Sequence, residues 1–178
     1  MIVAIGGLPG SGKSTAASLY ARRHGCVHVS AGALFREQAK ARGMSLEAFG
    51  TFAEAHPEVD RELDDRILAR TRELSAHGDV VTDGRLQPAL LGRGGVPALR
   101  VLLDAPLQVR AERVAKRDGL RVAEARARIE EREASERRRY REIYGLDAND
   151  RAHYDLVLDS VRLSPEAIVD AIRARAVA

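Results

Sequence analysis

Eight consecutive residues, Gly7-Leu8-Pro9-Gly10-Ser11-Gly12-Lys13-Ser14, have the composition and spacing G-x-x-x-x-G-K-[ST] of a phosphate-binding turn. The apolar run Ile2-Val3-Ala4-Ile5 precedes them and Thr15-Ala16-Ala17-Ser18-Leu19-Tyr20 follows, so the turn joins a buried strand to the start of a helix. Glycines let the backbone curl until successive N–H groups point inward on an anion at the positive end of that helix. A side chain at Gly7 or Gly12 would obstruct the approach. Lys13 then reaches the β- and γ-phosphates of a nucleoside triphosphate, and the Ser14 hydroxyl ligates a Mg²⁺ that bridges them. Gly7, Leu8, Pro9, Gly10, Ser11, Gly12, Lys13, Ser14 and Thr15 are therefore the expected ATP-binding residues.

Two further sets share a helix face. Arg110, Arg113 and Arg117 recur at i, i+3 and i+7, opposite the apolar face. Three like charges on one face repel unless anions neutralise them, and the anions are either bound phosphates or acids such as Glu112 and Glu124. Arg132, Glu136 and Arg139 fall at i, i+4 and i+7, with Ile129 and Ile143 on the same stripe. From pattern alone this second set reads as a solvated, salt-bridged helix.

The chain that must position these groups has 178 residues, 45% hydrophobic and 31% charged, which suits a single domain with a proper core. No apolar run approaches the length of a membrane span and no signal-like segment opens the chain, so the expectation is a soluble, cytoplasmic protein without membrane contact. Cys26 stands alone and can form no internal disulfide. A net charge of +3 is a weak argument for nucleic acid, and aromatic residues for base stacking make up only 4%. The five histidines show no ligand-like clustering and receive no role.

Five short apolar strands are expected, at Ile2-Ile5, Val27-Val29, Val80-Thr82, Ala98-Leu103 and Tyr154-Asp159, alternating with helices. Helix 1 runs from Lys13 to about His24 and stops at Gly25; Ser30, Ser45, Pro57 and Ser164 open later helices, and Gly43, Gly119 and Gly145 close others. Gln87 to Pro97, with three glycines and two prolines, reads as a loop or frayed helix. Alternation of this kind calls for a parallel sheet with helices on both faces, an α/β three-layer fold. Ligands then sit at the carboxyl ends of the strands, where Gly7, Ser30, Asp83 and Asp104 fall.

The sequence resembles the P-loop nucleoside monophosphate kinases and, within them, the archaeal-type cytidylate kinases. The resemblance rests on Gly7 to Thr15, Val29 to Arg36, Met44 to Gly50, Pro57 to Asp64, Gly84-Arg85-Leu86, Ala105 to Arg117 and Arg132 to Gly145, in the family's order over nearly the whole chain. It implies one domain over residues 1–178, with a five-stranded parallel sheet, an NMP-binding helical insertion at about 30–77 and a LID at about 117–135. The implied reaction is ATP plus CMP or dCMP giving ADP plus CDP or dCDP, with Mg²⁺, by a monomer without a nucleic-acid partner. Phosphoryl transfer between two polyanions needs positioning and charge neutralisation more than a nucleophile. Lys13, Arg113 and Arg117 take the catalytic roles by resemblance. Ser30, Gly32, Arg36, Asp64, Arg85, Arg132, Glu136 and Arg139 take the acceptor, Arg36 and Arg85 on its phosphate and Glu136 on the exocyclic amine of cytosine. Asp83 joins Ser14 at the metal. Other monophosphate or small-molecule kinases of the same fold, and a P-loop regulator or RNA-associated ATPase, are the competing readings.

Overall fold

The computed structural model describes residues 1–177. Five parallel strands, β1 (Ile2–Gly6), β2 (Val27–Ser30), β3 (Val80–Asp83), β4 (Leu99–Asp104) and β5 (Leu156–Asp159), form one sheet in the order β2-β3-β1-β4-β5. The register sets Ile5 beside Asp83, Ser30 beside Asp83 and Asp104 beside Asp159, so the expected site residues do share the carboxyl edge. β1 is buried along its whole length, as a central parallel strand covered on both faces must be. Its side chains alternate between two cores. Val3 and Ile5 pack with Tyr20 of α1 (Lys13–His24) and Ile172 of α8 (Pro165–Ala176), while Ile2 and Ala4 pack with Leu91 on the opposite face.

Between β2 and β3 the chain is helical: α2 (Ala31–Ala41), α3 (Leu46–Ala55) and α4 (Pro57–Ser75). Ser30 and Ser45 accept hydrogen bonds from Ala33 N and Ala48 N, each cap contributing about 1 kcal/mol. The three helices share an apolar cluster around Phe35, Phe49, Leu63 and Ile67 with Val29 of β2 and Val80 of β3. After β4, α6 (Leu107–Asp118) and the long α7 (Val122–Tyr144) fold back on one another around Val114, Ala125 and Ile129.

The segment at Gln87–Pro97 departs from the expected loop or frayed helix. Residues Gln87–Arg93 form a helix, α5, whose Ala89, Leu90 and Leu91 are buried. Pro88 lies in its first turn, where no N–H is needed, and the glycines fall at its far end, so the apparent breakers mark a short helix rather than prevent one.

Candidate active site

The phosphate-binding turn leaves β1 at Gly6 and enters α1 at Lys13. Its glycines are needed for reasons other than phosphate clearance. A Cβ on Gly7 would lie 2.5 Å from Ser11 Oγ and 2.7 Å from the Leu103 carbonyl, whereas at Gly12 there is open space and the left-handed φ of +91° itself requires glycine. Lys13 Nζ rests on the Leu8 carbonyl at 3.4 Å. Desolvation and the neighbouring Arg85 guanidinium pull its pKa down to about 7, so the ammonium lacks a full counter-charge until an anion arrives.

Beside it, Ser14 Oγ donates to Asp83 Oδ2 at 2.7 Å, and His28 Nε2 lies 2.7 Å from Asp83 Oδ1. Burial would raise the pKa of this 1%-exposed carboxyl, but the bonds from His28 and Ser14 and the charge of Lys13 outweigh it and hold Asp83 below the usual carboxylate range. His28 is the contact that sequence reasoning missed. The signal was available: His28 stands two residues before Ser30 on β2, the same strand face, and Ser30 pairs with Asp83.

Two clefts flank the turn. One, of about 680 Å³, is lined by residues Gly10 to Ala16 together with Arg113, Arg117 and the turn between β5 and α8. The other, of about 260 Å³, lies between the helical insertion and α7, lined by Pro9, Phe35, Thr51, Glu54, Arg132 and Glu136 among others. Arg117 lines both. The arginines expected on one face of α6 therefore separate. Arg110 is 4% exposed and holds the carbonyls of Pro9 at 3.2 Å and Ala105 at 3.0 Å while pairing with Glu133, so it braces the turn. Arg113 is pinned to Gly10 O at 3.3 Å and to Ser160 Oγ and O at 3.0 and 2.6 Å. Arg117 is exposed and, among the described residues, paired only with its neighbour Asp118 at 2.6 Å.

The residues expected on the acceptor side divide in the same way. Arg132, Glu136 and Arg139 line the smaller cleft. Glu136, 5% exposed, stands between Arg132 Nε at 2.8 Å and Arg85, whose own pKa falls to about 9 through desolvation and the nearby Arg132. Arg139 pairs with Asp60 at 3.1 Å inside the protein, so the expected solvated face of α7 is buried here. Arg36 is exposed, its guanidinium folded towards Gly32, and among the described residues it forms no ion pair. Ser30, Gly32, Arg36, Asp64 and Arg85 lie outside the cleft lining. Ser30 Oγ caps α2, and Asp64 is buried behind the cleft, accepting from Gln87 Nε2 at 3.0 Å and Tyr144 Oη at 2.8 Å. Burial lifts the Asp64 pKa to about 7. Thr51, Glu54, Ser135 and Arg138, which line the cleft, were not singled out in the sequence because their types recur on any exposed helix; Arg138 binds Glu54 at 3.0 Å across its mouth.

A five-stranded parallel sheet with a phosphate-binding turn and a cleft on each side defines the P-loop small-molecule kinase fold. The structure is similar to that of a shikimate kinase from Aquifex aeolicus, with a TM-score of 0.56 at 23% identity covering 98% of this chain and 95% of that one. The sequence profile of the cytidylate kinase-like family matches residues 2–162, and the chain belongs to that family. It is 47% identical to the cytidylate kinase of Methanopyrus kandleri, covering 98% of this chain and 92% of the relative. It is 44% identical to the cytidylate kinase of Pyrococcus horikoshii, covering 98% and 87%.

Proposed function

We propose that the protein is an ATP-dependent cytidylate kinase, transferring the γ-phosphoryl of ATP to CMP or dCMP to give CDP or dCDP and ADP. The observation that carries this reading is the pair of clefts meeting at Arg117 over the phosphate-binding turn, one for each nucleotide. Family membership and the named archaeal relatives support the choice of cytidine as acceptor base.

In this reading the larger cleft holds the donor, its triphosphate cradled by the N–H groups of Gly10 to Ser14 and by Lys13. Phosphate restores the proton affinity that burial removes from Lys13, so the ammonium bears full charge where charge shifts during transfer. Ser14 and Asp83 offer a hydroxyl and an ionised carboxylate 2.7 Å apart at the mouth of the turn, a hard-oxygen set that fits Mg²⁺ with substrate phosphates completing its shell. The ion, when bound, neutralises charge on the transferring group. Arg36 and Arg85 receive the acceptor phosphate, Glu136 accepts from the exocyclic amine of cytosine, and Arg117 swings from Asp118 to the transferring phosphoryl as the α6–α7 hairpin closes. Arg113, fixed by three hydrogen bonds, shapes the donor cleft and does not move with that closure. One chain supplies every group in this scheme, in keeping with a monomer, and a small-metabolite enzyme of this kind acts in the cytoplasm on free nucleotides.

Following MgATP and CMP by ³¹P NMR tests the reading. Equal amounts of CDP and ADP are expected, with no change when CMP is omitted; ADP and inorganic phosphate formed without CMP would identify a hydrolase instead.

A further inference from the structure

Among the described residues three glycines stand inside helices, and a side chain on each would meet something different. A Cβ on Gly92 of α5 would lie 2.7 Å from the Arg100 guanidinium, and one on Gly32 of α2 would lie 3.4 Å from that of Arg36. Gly50 stands in the middle of α3, and its φ is not in the left-handed region. A Cβ there would have no other side chain and no neighbouring element within 4 Å. Alanine would favour this helix, because glycine gives up more backbone entropy on folding than any other residue. Neither backbone geometry nor packing within the chain therefore calls for glycine at position 50.

The open space beside Gly50 is the smaller cleft. Gly50 lines it together with Leu46 and Thr51 of α3, and Phe35, Val114 and Ile129 contribute apolar side chains to the same cleft. Glu136, which accepts from the exocyclic amine of cytosine in the proposed reaction, also lines it. Arg36 and Arg85, which receive the acceptor phosphate, lie outside that lining. The end of the acceptor that reaches Gly50 is therefore the flat, uncharged one. A bare helix backbone lets a ring come to contact distance, whereas a methyl group would hold it off.

We infer that the pyrimidine ring of the acceptor lies against α3 at Gly50, and that the missing side chain there sets the width of the base slot. This deepens the kinase reading and rests on the smaller cleft being the acceptor site. The test compares Gly50→Ala and Gly50→Val with Gly78→Ala, a control that adds the same methyl group in open space outside both clefts. Calorimetric titration with CMP is read beside KM for CMP, KM for MgATP and the melting temperature. One methylene in a pocket is worth about 10- to 200-fold. Gly50→Ala should weaken CMP within that range and Gly50→Val further, with KM for MgATP unaltered. The melting temperature of Gly50→Ala should rise by about 2–4 °C, the gain in helix propensity for a chain of this size. A glycine with a merely structural role would not couple higher stability to weaker CMP binding. Unchanged CMP affinity in both Gly50 variants, or an equal loss in Gly78→Ala, overturns the inference. A wild type that binds CMP but forms no CDP removes the kinase reading, while the Gly50 variants still decide the slot; a wild type that binds no CMP overturns both.

Discussion

The two sides of the phosphate-binding turn are built from different material. On the donor side the work is done by backbone: a turn with left-handed glycines, a helix N-terminus and a neighbouring turn whose N–H groups close on Asp159. On the acceptor side it is done by side chains that hold one another, Arg85 and Arg132 on Glu136, Arg139 on Asp60, and Gln87 and Tyr144 on Asp64. The difference teaches how each half can respond to substrate. A backbone cradle is formed before any phosphate arrives, whereas in the proposed scheme paired arginines exchange an internal carboxylate for a substrate phosphate, which makes the proposed acceptor half the one whose geometry depends on what is bound.

The largest expected effect would sharpen the donor half. Lys13→Ala should lower kcat by about 10²- to 10³-fold, as removal of a single charge-stabilising donor typically does, while the melting temperature holds. An unchanged rate would show that the backbone alone carries the turn's function. Next, Arg36→Ala should raise KM for CMP by about 10- to 100-fold, the range for one charge-assisted contact, and leave KM for MgATP unaltered. Equal damage to both constants would break the division between the halves.

The halves should also answer pH with opposite signs. Asp64 is raised to about 7 in the folded protein, so its contribution to stability is full below the unfolded value near 3.8 and is lost as pH rises through about 7. Lys13 is lowered to about 7, so the penalty on its charged form, present at neutral pH, is relieved as pH rises from 7 towards 10.5. Melting curves of wild type and Asp64→Asn between pH 4 and pH 8, limits set to bracket that shift, should converge as pH rises if the Asn variant has lost the dependence; parallel curves would remove Asp64 as its source. Calorimetry at pH 8, about one unit above the Lys13 value, should show proton uptake on MgATP binding, since phosphate restores the ammonium. The smallest effect should come from His28→Ala. His28 only orients Asp83, so the expected change is a several-fold rise in the magnesium concentration for half-maximal rate, with KM for CMP unmoved.

What the sequence disclosed follows the same division. The phosphate-binding turn, the Ser30, Ser45 and Ser164 caps and the glycine stops at Gly25, Gly119 and Gly145 were all legible, because each is decided by residues a few positions apart. The α7 stripe was read correctly as a face but not as an interior one, since nothing near Arg139 announces Asp60, 79 residues away. His28 was left without a role although its place on β2 pointed at Asp83, and burial of Arg110 under the turn, invisible in the spacing, made a brace of one of the three arginines on the α6 face. The Gln87–Arg93 helix was obscured because glycine and proline report local preference, and the packing of Leu90 and Leu91 overrode it.

The central claim is that a phosphoryl group passes from the cleft on one side of Lys13 to a cytidine nucleotide in the cleft on the other. A coupled ADP-release assay with MgATP against CMP, dCMP, UMP, AMP and GMP, with an acceptor-free control and with Glu136→Gln run in parallel, tests it most directly. Turnover should require an acceptor, show a clear preference for CMP or dCMP, and have a narrower gap between CMP and UMP in the variant. Preference for another monophosphate, or ADP release without any acceptor, would contradict it.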